Sequence, residues 1–110
     1  MTYAGTARQF ALSLPESCEA DHHGSPSFRV RGKIFAELSE DETEAIVKLP
    51  QPVQFELVAS DPETFVIEPH WGRFGWTRIQ LSGTAPETLK DLIAQSWRLV
   101  APRNWLPRGK

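Results

Sequence analysis

The chain has 110 residues, 40% of them apolar and 24% charged, with a formal net charge of −2. That is enough chain for one domain, residues 1–110, to bury a single core without metal or disulfide staples, and no apolar run approaches the ~18 residues of a membrane helix. The negative balance counts against a protein that coats nucleic acid indiscriminately, because such proteins carry a clear basic excess.

The opening stretch MTYAGTARQFALSLP has neither the basic start nor the unbroken apolar run of a secretory signal. Cys18 is the only cysteine, so no internal disulfide is available and a reducing cytoplasm is the expected location. Residues 2–14 are expected to be helical, because Tyr3, Ala7, Phe10, Ala11 and Leu14 recur at spacings of three and four. Thr2 stands at the N-cap position, and Pro15 ends the run because the residue before a proline resists the α region. The polar, turn-rich stretch PESCEADHHGSP, residues 15–26, reads as a loop.

SFRVRGKIFAEL, residues 27–38, has the pattern of a β-hairpin. A three-residue loop at Arg31-Gly32-Lys33 sets Val30 opposite Ile34 and Phe28 opposite Ala36, and gives Gly32 the left-handed position. Phe28, Val30, Ile34, Ala36 and Leu38 then share the buried face, which is what fixes register. Arg29, Phe35 and Glu37 fall on the opposite face. SEDE is a turn, and residues 43–49 form a third strand. Pro52 suits a helix start, so VQFELVAS makes a short helix. Residues 64–68 and 76–81 form two further strands, separated by an aromatic, glycine-bearing loop. Thr84-Ala85-Pro86-Glu87 fits a capping box, and Leu89, Leu92, Ile93, Trp97 and Val100 stripe a last helix that stops at Pro102. The tail, residues 103–110, is read as irregular, with Trp105 folded back onto the domain. Helix, three strands, short helix, two strands and long helix make an α+β protein, with an antiparallel sheet covered by helices on one face.

Three segments in this order carry a resemblance. HHGSPSFRVRGKIFAEL (His22–Leu38), WGRFGWTRIQL (Trp71–Leu81) and SWRLVAP (Ser96–Pro102) are similar to the first hairpin, the tryptophan–glycine loop and the closing helix of the MmcQ/YjbR-like family of small bacterial proteins. The resemblance spans nearly the whole chain. It implies a two-layer sandwich similar to that of frataxin and CyaY, with the N- and C-terminal helices on one face of the sheet. For this family it is also called a double wing and associated with DNA binding. It brings no catalytic residue set.

The chemistry-bearing residues give three competing readings. In the first, the chain is a non-enzymatic DNA-binding module. The basic hairpin tip and open sheet face then meet phosphates through Arg29, Arg31, Lys33, Arg73 and Arg78, Trp76 stacks on bases, and Arg98 and Arg103 extend the footprint. In the second, the same face docks a protein partner, since Arg and Trp anchor interfaces equally well. In the third, a small molecule sits under the Trp71 loop. Aromatics this dense in a small domain are more often core than contact surface, so Trp71 and Phe74 are expected to close the sheet edge. Strand alternation sends Thr77, Ile79 and Leu81 inward and Trp76, Arg78 and Gln80 outward. Cys18, Asp21, His22 and His23 lack the well-separated ligand pairs of a structural zinc site. The first helix bears no acidic residue, its one charge being Arg8, so a frataxin-like iron ridge is not expected, and no cofactor motif is present.

Overall fold

The computed structural model describes residues 3–101. The expected Thr2 cap and the tail with Arg103 and Trp105 lie outside the described residues. Helix α1 spans Ala4–Ser13, with Ala7 and Ala11 buried one turn apart. Strands β1 (Ser17–His22), β2 (Ser25–Val30), β3 (Lys33–Leu38) and β4 (Glu44–Lys48) follow. Helix α2 (Gln51–Ser60) leads to β5 (Phe65–Ile67) and β6 (Trp76–Gln80), and α3 runs Pro86–Val100. The six strands form one antiparallel sheet in the order β1-β2-β3-β4-β6-β5.

Residues 17–22 are a strand, not the loop expected from their polarity. Edge position explains the mismatch: β1 pairs only with β2, from Ser17↔Val30 to His22↔Ser25, and its six residues include none that is fully buried. No apolar alternation therefore marks it. The two-residue turn His23-Gly24, with φ of 55° and 90°, is what reverses the chain, as a turn with two left-handed centres does between twisted strands.

The second hairpin corrects the expected register in an instructive way. Its turn has two residues, Arg31 and Gly32, at φ 52° and 81°, so Val30 pairs with Lys33 and Arg29 with Ile34. The pairing then jumps to Phe28↔Ala36, which leaves Phe35 as an extra residue on β3. A bulge of this kind turns two consecutive side chains to one face. Phe35 and Ala36 both enter the core, at 0% and 4% exposure. Ile34 and Glu37 turn to the opposite side, where they line a common pocket. Phe35 is thus a core residue, not one of the open face. The bulge is fastened from the helical layer: Ser96 Oγ donates to the Phe35 carbonyl at 2.5 Å and accepts the Lys48 N–H at 2.9 Å.

The core lies between the sheet and helices α1 and α3. Phe28, Val30, Leu38, Val47, Ile79 and Leu81 meet Leu89, Leu92, Ile93 and Trp97 there. The α3 stripe follows the sequence pattern, and its Trp97 indole N–H donates to the Pro15 carbonyl at 3.1 Å, tying α3 to the end of α1. The capping box does not form as drawn. Ala85 is the N-cap residue and supplies no side-chain cap, while the Thr84 hydroxyl donates to the Gln80 carbonyl at 2.8 Å. Among the described residues, no helix is long and apolar enough to cross a membrane.

Candidate ligand pocket on the open sheet face

Directly paired strand residues project to the same side of a sheet. One row therefore crosses all six strands of the uncovered face: Ala20, Ser27, Glu37, Ile46, Arg78 and Val66. Its centre is Glu37, Ile46 and Arg78. Trp76 lies two residues from Arg78, and Ile34 is turned outward by the bulge, so both join the same side. The expected alternation of β6 is present, with Thr77 and Ile79 fully buried and Trp76, Arg78 and Gln80 half-buried.

The segment after β5 builds a wall beside this floor. Glu68 anchors it: Oε1 accepts the backbone N–H groups of His70 at 2.7 Å and Trp71 at 3.0 Å, and Oε2 meets Arg78 Nη2 at 3.4 Å. The Gly72 N–H donates to the Glu68 carbonyl at 2.8 Å. Gln54, fully buried on α2, secures the far side of the loop. Its amide nitrogen donates toward the carbonyls of Gly72 (3.1 Å) and Trp76 (3.0 Å) and the hydroxyl of Thr77 (3.1 Å). Floor, wall and His22 of β1 enclose a pocket of about 370 Å³, lined also by His70, Trp71 and Trp76.

Trp71 and Phe74 do not close the core. They are 60% and 49% exposed, with ring centroids 6.4 Å apart, and Trp71 is a wall of the pocket. Here the density of aromatics serves the surface because the sheet interior is already filled from α1 and α3.

Burial and ion pairing divide the two pocket carboxylates. Burial by itself pushes the Glu68 carboxyl up, but the Trp71 and His70 amides and the Arg78 guanidinium outweigh it and hold the pKa below the ordinary glutamate value. Glu37 is shifted the other way: burial raises it, against the pull of His22, Arg78 and Arg29, and with a further push from Glu68. Among the described residues, the Glu37 carboxylate has no hydrogen-bond partner.

The lowered Glu68 pKa fixes a sign for pH dependence. A depressed carboxylate contributes stability above its unfolded pKa and loses it as pH falls through the folded value. Protection of the His70 and Trp71 amides from hydrogen exchange is therefore expected at neutral pH and lost in acid below the usual glutamate pKa of about 4.3. In Glu68→Ala, which removes the acceptor, that pH step should vanish, with both amides poorly protected throughout.

The expected contact residues do not gather on one basic surface. Arg31, at the hairpin tip, pairs with Glu16 at 2.6 Å, and Arg29 Nε donates to the Ser27 hydroxyl at 3.2 Å. Lys33 is exposed. Arg73 is exposed too, its guanidinium carbon 4.9 Å from the Phe74 ring centre. Because β3 and β6 both run antiparallel to β4, the hairpin tip and the Trp71 loop share one end of the sheet. Arg78 is held between Glu44, at 2.7 Å, and Glu68. Arg98 stands exposed on α3, in the helical layer across the sheet from the open face, and Arg103 is outside the described residues. Of the pocket residues, the sequence singled out Trp71, Trp76 and Arg78 and placed Glu37 on the right face. Ile34 was expected on the buried face and stands on the open one, and Glu68, His70 and Ile46 were given no role. The local signal for Glu37 is an ionisable residue between two buried ones, Ala36 and Leu38, in a central strand. Among the described residues, no group of three or more His, Cys, Asp or Glu side chains is arranged to hold a metal ion.

Comparison with known proteins agrees with this architecture. The YjbR family model matches residues 12–99. The crystal structure of Deinococcus radiodurans protein DR2400, a DUF419-domain protein, superposes with a TM-score of 0.83 over 96% of this chain and 83% of that one, at 21% identity. That likeness is one of fold. No curated protein matches the sequence.

Proposed function

The chain belongs to the YjbR family, and for this member we propose a small-molecule-binding module whose site is the pocket between the Trp71 loop and the open sheet face. The observation that carries the reading is Glu37, a carboxylate without a hydrogen-bond partner among the described residues, inside a cavity already built by other contacts. Burying a charge is costly unless something pairs with it, and a pocket of about 370 Å³ falls within the usual size range for ligand sites. Apolar walls with few polar groups are the usual composition of such sites. The lone thiol suits a reducing, cytoplasmic setting for this activity.

Duplex binding has less support from the same geometry. Phosphate contact needs free cations, and Arg31 and Arg78 are engaged with glutamates. Glu37, Glu44 and Glu68 also lie on or beside the face that would meet DNA. A thermal-shift screen of small metabolites separates the readings. At least one compound is expected to raise Tm and to change Trp fluorescence, and Ile46→Arg, which fills the pocket floor, should abolish both effects. A labelled random duplex should show little affinity at physiological salt. Tight duplex binding with a log–log salt slope of about −0.9 per phosphate, weakened by Arg31→Glu with Arg78→Glu and untouched by Ile46→Arg, would favour the duplex reading instead.

A further inference from the structure

The charges around the pocket do not cancel. With the imidazoles of His22 and His70 counted as neutral, two lining carboxylates, Glu37 and Glu68, face one lining guanidinium, Arg78. Adding the nearest charged neighbours, Glu44 beside Arg78 and Arg29, which attracts the Glu37 charge, adds one of each sign. One negative charge is left over, and hydrogen bonding says where it sits. Glu68 is occupied by two backbone amides and Arg78. Glu44 is occupied by Arg78 and the Gln80 amide, both at 2.7 Å. Glu37 alone of the three has no hydrogen-bond partner among the described residues.

Apart from the His22 and His70 imidazoles, an anionic ligand has no ready counterpart here. Both terminal nitrogens of Arg78 already meet carboxylates, so an anion would have to displace one of them and would approach Glu37 as a like charge. A cation meets the opposite situation. It finds a carboxylate with free acceptor sites in a partly desolvated setting, where a charge-assisted hydrogen bond is strongest. It also finds two indole rings in the lining, Trp71 and Trp76, and indole is the best of the aromatic faces for a positive charge. Ile34 and Ile46 supply the apolar surface for a hydrocarbon or ring body.

We propose that the pocket takes a small organic cation, an ammonium group on an apolar or aromatic body, with its N–H groups on the Glu37 carboxylate and its body against Trp71 and Trp76. The assignment rests on the pocket reading above and adds the charge of the ligand to it.

Three probes of one shape test it: benzylammonium, benzyl alcohol and benzoate, titrated at about pH 8, where ordinary carboxylates are ionised, and followed by Trp fluorescence and by NMR of the indole N–H signals. Benzylammonium is expected to bind about tenfold or more tightly than either of the others. Glu37→Gln, which keeps the side chain's shape, should leave Tm unchanged or higher, because the half-buried carboxylate no longer needs to ionise. It should also bring the three affinities to within about twofold of one another. Trp71→Ala should weaken all three. Equal binding of the probes, or a preference for benzylammonium that survives Glu37→Gln, overturns the cationic assignment while leaving the pocket in place. Failure of all three to bind or to perturb the Trp71 and Trp76 signals at millimolar concentration overturns the assignment and the pocket reading together.

Discussion

Gly75→Ala is expected to dislodge the loop that walls the pocket and to cost at least about 3 kcal/mol of folding stability. Two independent penalties meet at this residue. Its φ of +100° lies where side-chain-bearing residues are rare, and a Cβ placed on it would stand 2.1 Å from the Leu49 carbonyl oxygen. The backbone cannot easily retreat. The Gly75 carbonyl accepts the Leu49 N–H at 2.9 Å and the Thr77 hydroxyl at 3.0 Å, and its N–H donates to the Gly72 carbonyl at 2.9 Å. Relief of the clash therefore means breaking the contacts that hold the loop against α2 and β4. For a domain of this size the loss corresponds to a fall in Tm of roughly 12 °C or more. Gly32→Ala is the matched control. Gly32 has φ +81° but nothing within 4 Å of an added Cβ, so it should bear only the conformational penalty of about 1–2 kcal/mol. Melting curves of the two variants within a few degrees of each other would show that the close approach at Leu49 does not constrain the loop. The functional corollary is loss of ligand affinity in Gly75→Ala, since Trp71 and His70 stand on the same loop.

The sequence carried the fold wherever burial left a period to read. The α3 stripe, the β6 alternation and the core face of β2 are all visible as spacing, because each presents one side to the same interior. It failed where edge position or a local irregularity removed the period. β1 is polar throughout because only one neighbour pairs with it, and nothing in SCEADH separates a solvated strand from a loop except the His-Gly turn that follows. The bulge is subtler. A three-residue loop and a two-residue loop plus bulge give the same Phe28↔Ala36 pairing and differ only in the fate of Ile34 and Phe35. The pocket was half legible. Trp76, Arg78 and Glu37 follow from strand parity, but Glu68 accepts main-chain amides of its own loop, and Gln54 donates from α2 to carbonyls 18 and 22 residues further on, which no spacing rule announces. The exposure of Trp71 was illegible for a related reason: aromatic density predicts burial only when the core still has room.

The bulge makes a sharp energetic prediction, because it decides which of two adjacent apolar residues is in the core. Phe35 is fully buried, and truncating a buried phenylalanine to alanine costs about 3–5 kcal/mol, the transfer term plus the cavity left behind. Phe35→Ala is therefore expected to lower Tm by at least roughly 12 °C. Relaxation should not rescue it: the Phe35 carbonyl remains bonded to Ser96, so the backbone is held in place around the void. Ile34→Ala should cost about 1 kcal/mol or less, in the range of substitutions away from the core, and should instead weaken ligand binding, because Ile34 lines the pocket. The unbulged register, with Ile34 inside and Phe35 outside, predicts the reverse order for the two variants. Thermal melts of the pair decide between the registers, and the same pair separates folding from binding: one residue is held by the core and its neighbour faces the ligand. The bulge thus links the two layers of the molecule, since the extra residue that fills the core is also what rotates Ile34 onto the floor beside Glu37.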